Sequence, residues 1–227
     1  MSVRTRPIIT GALSAVVVIA LGVGAYLYMG DRIGPGSAPA SQIVVAFAMD
    51  GEDRAEVAQL IAVVDLSAGA YSLQDASRTV SIPGTSYTLL RDAYPFGGAE
   101  AVAAAIDGGT LKSGTRWVDV PQDAWRRLVD DGVEVAVTEP FETFDEVTER
   151  YTEFAEGTQT VSAEDLWGVV NGVAYLSAGE REAILKQLAA SSLERLSAAG
   201  PGRGISTDLD DEEWSAFVGA LKPPIGP

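Results

Sequence analysis

Two hydrophobic rhythms run through this chain. The first is unbroken: from Ile8 to Met29 no side chain is charged, and Tyr26 and Tyr28 stand near the end of the run. A helix needs about 20 mostly apolar residues to cross the hydrocarbon core, so the pattern predicts one transmembrane helix over 8–29. Arg4 and Arg6 precede it, and Asp31 and Arg32 follow. The basic excess before the span predicts a cytoplasmic tail over 1–7, with the rest extracytoplasmic, and the tyrosines suit the outer interface. The competing reading is a cleaved signal peptide ending at Ala38-Pro39-Ala40. Its apolar core would run only about 7–15 residues, and Ala40 sits far beyond the end of this one, so the anchor is the stronger reading.

The second rhythm is interrupted. Residues 30–42 are rich in Gly, Pro, Ser and Ala and read as a linker. A domain over 43–227 follows. Ile43 to Ala48 and Gln59 to Leu66 are short apolar runs that predict buried strands, and Ala70 to Leu73 predicts a weaker third. Ile82-Pro83-Gly84 marks a turn. Ala99 to Ile106 predicts a helix stopped by Gly108-Gly109. Trp117 to Val120 reads as a strand, and Pro121 opens a helix with Trp125, Leu128 and Val129 on one face. Gly132 ends that helix, and Val133 to Val137 alternates as a strand. The last third reads as helical. Ser162…Asp165 and Ser177…Glu180 have the spacing of capping boxes, opening helices through Tyr175 and Leu196, and Thr207…Asp210 has it before a closing helix. The stripe Ile184, Leu185, Leu188, Ala189, Leu193 and Leu196 reads as core packing, and Trp214, Phe217, Val218 and Leu221 continue the pattern. Helices interleaved with short strands imply an α/β or α+β domain.

Composition narrows the chemistry. Apolar residues make up 47% of the chain, and four tryptophans fill a core without disulfides, there being no cysteine. The absence of histidine excludes a Ser-His-Asp triad and a histidine-based zinc site. The absence of cysteine excludes a lipoprotein anchor and a Cys-His pair. The net charge is −16, and setting aside Arg4 and Arg6 leaves −18 for the remainder. Such a surface repels phosphate backbones, which argues against a nucleic-acid partner.

Few residues announce a site. Asp50, Glu52 and Asp53 cluster after the first strand, where open α/β sheets place ligands, and three carboxylates suit a divalent cation. An exposed acidic loop on an already acidic domain is the stronger reading, so no metal ligand is assigned. Gly97-Gly98 and Gly108-Gly109 match no phosphate-binding fingerprint. Asp208 to Glu213 (DLDDEE) lacks the spacing and glycine of a calcium loop and reads as a helix start.

Taken in order, the landmarks resemble the LytR-CpsA-Psr family of cell-envelope proteins. IVVAFAMD and QLIAVVDL resemble that family's opening strands, and SIPG with LRDAYPFGGAEAVAAAI resembles its next segment. RWVDVPQDAWRRLVDDGVEVAV is the closest piece. LKQLAASSLERL and ISTDLDDEEWSAFVGAL resemble its last two helical elements, so the likeness runs from about Ile43 to Leu221. The resemblance implies an α/β fold: a mixed sheet flanked by helices, preceded by one N-terminal transmembrane helix. It implies a single-pass bacterial envelope protein. Members transfer anionic glycopolymers from polyprenyl-pyrophosphate carriers to peptidoglycan, with arginines on the pyrophosphate and aspartates on magnesium.

The departures point away from that activity. Where the family has R-S-D-T, a gapless match reads Ala55-Glu56-Val57-Ala58, with Arg54 one residue earlier. Where it has P-R-D-T, the chain reads Asp75-Ala76-Ser77-Arg78; an R-x-R pair falls on the Tyr175–Ala178 region, and an RQ pair on Lys186-Gln187. Asp50 matches the first family aspartate with one residue of slack, and Arg181 matches a later arginine. Asp50, Arg54, Arg78 and Arg181 are therefore the ligand-binding candidates, and no catalytic residue is assigned. The expected role is binding or scaffolding during cell-wall glycopolymer assembly, without transferase activity and without a cofactor. The expected partners are envelope components, a polyprenyl lipid or an active family member. The alternatives are an active magnesium-dependent phosphotransferase and a receptor-type module holding an uncharged ligand in an apolar pocket.

Overall fold

A computed structural model describes residues 38–51, 55–145 and 150–221. The predicted span over 8–29 and candidate Arg54 lie outside the described residues. Among the described residues no helix is long and apolar enough to cross a membrane.

A five-stranded mixed sheet organises the domain. The strands are β1 (Gln42–Asp50), β2 (Glu56–Asp65), β3 (Ala70–Gln74), β4 (Thr115–Val120) and β9 (Ser206–Thr207), in the order β3-β2-β1-β4-β9. β1 pairs antiparallel with β2 and parallel with β4. The return from β2 to β4 runs through β3, a 3-10 turn over Leu90–Phe96 and helix α1 (Gly98–Ile106). β1 is buried on both faces, which is why it reads as a continuous apolar run. Ile43, Val45, Phe47 and Met49 enter a large core, whereas Val44, Ala46 and Ala48 enter a smaller one lined by α1 and the 3-10 turn.

The large core is closed by α2 (Gln122–Leu128), α4 (Ala178–Ala199) and α5 (Asp211–Leu221). Trp125 is fully buried, packs on Phe47 at 5.1 Å between ring centres, and donates its indole N–H to Ser192 Oγ at 2.9 Å. All six residues of the stripe on α4 join this core, Leu185 only partly. Ser177 caps α4 as its spacing predicts, accepting from the Glu180 N–H. The helix runs to Ala199, three residues past the predicted Leu196.

Two local expectations are corrected, and one segment holds strands that were not expected. Ser162 and Asp165 do bond to each other, but they close a turn, and α3 (Leu166–Gly172) starts only after Asp165; Val173–Tyr175 continues as a 3-10 turn. Thr207 belongs to β9 and does not cap α5. The cap is reciprocal between Asp210 and Glu213, the Glu213 N–H donating to Asp210 Oδ1 at 2.8 Å and the Asp210 N–H to Glu213 Oε2 at 3.2 Å. The predicted strand Val133–Val137 is present, but the sequence pattern did not reveal its partner or the hairpin enclosed between them. β5 (Val133–Val137) pairs with β8 (Gly157–Val161), and inside them β6 (Phe141–Asp145) pairs with β7 (Arg150–Phe154).

Candidate functional site

A polar cluster lies across β1 and its two neighbours, β2 and β4. A β-bulge creates it. Phe47 stands opposite Leu60, but beyond the bulge Ala48 stands opposite Ala58, and Asp50 faces Glu56. Without the shift Asp50 would face apolar Val57, so one inserted residue brings two carboxylates side by side. Gln122, buried in the first turn of α2, holds both. Its side-chain oxygen accepts from the Asp50 N–H at 2.6 Å, and its amide nitrogen donates to Asp50 Oδ2 at 3.1 Å. Its backbone N–H donates to Glu56 Oε1 at 3.2 Å. Trp167 on α3 donates its indole N–H to the Asp50 carbonyl at 3.3 Å.

Asp119 completes the group. It lies on β4 between Val118 and Val120, both in the large core, so alternation aims it at the opposite face with Tyr94. The Tyr94 hydroxyl donates to it, while its Oδ1 is buried with no hydrogen-bond partner. Gly98 is required beside it: φ is +63°, and a Cβ there would lie 2.9 Å from Asp119 Oδ2. Burial holds the Asp119 carboxyl above its ordinary range, against the pull of the Tyr94 hydrogen bond. Glu56 is also raised, by burial first and then by Asp50, Asp119 and Asp123, with the Gln122 N–H opposing. Tyr94 is raised far above the usual phenol range by burial and by Asp119, and stays neutral.

Among the described residues, the charged groups that act on Glu56 are thus the acids Asp50, Asp119 and Asp123. Carboxyls in this state hold protons more readily than free ones, and they suit a neutral polar group or a cation better than a phosphate. The Asp50 carboxylate is engaged by Gln122, that of Asp119 by Tyr94, and among the described residues no three carboxylates gather closely enough to hold a metal ion.

Two other candidates lie elsewhere in the domain, each near enough to Asp75 for its charge to be felt there. Arg78, exposed after β3, and Arg181, in the first turn of α4, both act on Asp75. The Asp75 carboxyl is held low chiefly by the Ser77 hydroxyl and by the Ser77 N–H, with both arginines adding to the effect. Arg78 Nη1 also donates to Gln74 Oε1 at 3.0 Å. Asp50 therefore belongs to the carboxylate cluster, and Arg78 with Arg181 to a mixed-charge group. Sequence reasoning missed Glu56, Tyr94, Asp119, Gln122 and Trp167. The one available signal was an acid inside the strand pattern WVDV.

No family model matches the chain, and no curated protein matches it. Solved structures do resemble it at low identity. B. subtilis TagT aligns with a TM-score of 0.53 and 13% identity over 82% of this chain and 76% of that one. TagT bound to LI-WTA aligns with a TM-score of 0.53 and 13% identity over 84% and 78%. B. subtilis TagV aligns with a TM-score of 0.51 and 14% identity over 81% and 80%. TagT and TagV are LytR-CpsA-Psr proteins. The domain therefore has a LytR-CpsA-Psr-like fold: a mixed sheet flanked by helices, as the order of landmarks in the sequence implied.

Proposed function

We propose that this protein is a membrane-anchored component of the bacterial cell envelope that works in cell-wall glycopolymer assembly by binding or scaffolding and does not transfer glycopolymer. The fold and the neighbour captured with LI-WTA support the setting. One observation supports the absence of transfer: among the described residues, Asp50, Asp119 and Asp123 all oppose Glu56 in a part-buried polar cluster. A pyrophosphate needs cations that neutralise and orient it, and arginine forks supply both. Each missing charge-assisted contact costs about 1.5–3 kcal/mol, and several together remove both binding and rate. The carboxylate cluster would instead take a neutral hydroxyl or amide, or a cationic group, of an envelope component.

The second reading is an active phosphotransferase. What favours it is that Arg78 and Arg181, far apart in the chain, both act on Asp75. The experiment incubates the full-length chain with a polyprenyl-pyrophosphate saccharide, a peptidoglycan acceptor and magnesium, beside a transferring LytR-CpsA-Psr protein. No turnover is expected. Turnover within about tenfold of the comparator, only about 1.4 kcal/mol in barrier, would overturn the proposal. Loss of that turnover in Arg78→Ala and Arg181→Ala would then establish the second reading.

A further inference from the structure

The β6–β7 hairpin has an inner face that is locked and an outer face that is unusual. Its register is Phe141↔Phe154, Glu142↔Glu153, Thr143↔Thr152, Phe144↔Tyr151 and Asp145↔Arg150. Alternation sends Phe141, Thr143 and Phe154 inward and Glu142, Phe144, Tyr151 and Glu153 outward. The inner face lies directly on α3. A Cβ on Gly168 would meet Thr143 Cγ2 at 2.9 Å, and one on Gly172 would meet the Phe141 ring at 2.7 Å. Arg150 donates to Asp165 Oδ1 at 2.6 Å, and Ser162 holds the other Asp165 oxygen at 2.8 Å. A slip of one residue would turn the two phenylalanines to solvent, so the outer face is fixed by the inner one.

On that outer face two aromatic rings lie side by side, Phe144 and Tyr151 at 4.7 Å between centres, and they are 41% and 69% exposed. Beside them Glu142 and Glu153 stand directly opposite each other. Like charges opposed across a strand pair destabilise it, and two large rings left facing water forgo the stabilisation that burial would give them. The two features together match a cation with an apolar stem: carboxylates for the charge, ring faces for cation–π contact and for the methylenes. A neutral sugar would use the rings but leave the carboxylate repulsion in place. An anionic lipid surface would be repelled by it.

We propose that this face, Glu142, Phe144, Tyr151 and Glu153, is a docking surface for a lysine- or arginine-bearing segment of a partner protein. The full-length chain in neutral detergent is titrated with a fluorescein-labelled Gly-Lys-Gly-Arg repeat peptide and followed by anisotropy. Saturable binding is expected. The Glu142→Gln/Glu153→Gln double variant should weaken it by about tenfold or more, since each tenfold is about 1.4 kcal/mol. Phe144→Ala/Tyr151→Ala should weaken it by about fivefold or more, within the range of exposed and partly desolvated cation–π contacts. A charge-matched control, Glu134→Gln/Glu194→Gln at two other exposed acids, should change it less than about twofold. The melting temperature of the Glu142→Gln/Glu153→Gln variant should equal or exceed that of the parent, because a repulsion has been removed. Equal loss in the control would show general attraction to an acidic protein and overturn the proposal. So would a fall in melting temperature in the glutamine variant. Binding of a chitin oligosaccharide or of phosphatidylcholine vesicles that depends on Phe144 and Tyr151, in place of the peptide, would overturn it too.

Discussion

Gly172 offers a test in which local propensity and tertiary packing give opposite signs. It ends α3 with φ −63° and ψ −36°, a helical conformation open to any residue. On propensity alone, alanine there would stabilise by about 0.8–1.0 kcal/mol. Packing opposes this. An added Cβ would lie 2.7 Å from Phe141 Cε2, 2.9 Å from its Cδ2 and 3.3 Å from Thr143 Cβ. Carbons rest at about 3.5–4.0 Å, so the Phe141 ring would have to retreat by about 1 Å. It cannot retreat freely: Phe141 is buried and stacked on Phe154 at 4.7 Å, with 23° between the ring planes. Overpacking of this kind costs about 1–3 kcal/mol. Subtracting the propensity gain leaves Gly172→Ala destabilised by about 1 kcal/mol, with a range of roughly 0–2. Gly219 is the control, since it lies inside α5 with nothing within 4 Å of an added Cβ. Gly219→Ala should stabilise by about 0.5–1 kcal/mol. For a domain of this size each kcal/mol moves Tm by about 2–4 °C, so the two variants should melt about 3–8 °C apart. Urea unfolding followed by tryptophan fluorescence gives the same comparison, with m unchanged if only stability moved. A Gly172→Ala variant as stable as Gly219→Ala would refute the packing of the hairpin on α3.

Trp125→Ala is expected to cost about 3–5 kcal/mol, as for a large buried aromatic, and a loss below about 1 kcal/mol in urea unfolding would place the α2 face outside the core. Trp125→Phe removes the donor to the buried Ser192 hydroxyl and should cost about 1–3 kcal/mol, part of which Ser192→Ala should restore in that background. The pH dependence is expected to run through Asp119, whose carboxyl is raised chiefly by burial. A raised folded value stabilises below the unfolded value, and that contribution is lost as pH rises through the folded one. Asp119→Asn should therefore be more stable than the parent near pH 7 and lose its advantage toward about pH 4, the ordinary aspartate range. An advantage that does not change with pH, in urea midpoints measured at both ends, would rule out this account.

What could be read from the sequence was whatever burial writes locally. β1 announced itself because both its faces are buried, so seven successive residues from Ile43 to Met49 had to be apolar or small. α4 announced itself because its six-residue stripe falls on one helical face and Ser177 and Glu180 bond within one turn. The order of such pieces was enough to imply the fold. The hairpins over Phe141–Asp145 and Arg150–Phe154 stayed hidden. Their outward positions carry Phe144 and Tyr151 among glutamates, which blurs the apolar–polar alternation that would mark a strand. The cap of α5 was displaced because DLDDEE offers several acids at capping distance, and β9 pairing with β4 takes Thr207 out of contention. The polar cluster was beyond sequence reasoning for a different reason. Asp50 meets Glu56 only through a bulge, and Asp119, Tyr94 and Gln122 join them through a parallel crossover and the placement of two helices. No local pattern records such pairings, because their free energy comes from contacts between segments that are distant in the chain, and register decides which side chains those contacts bring together.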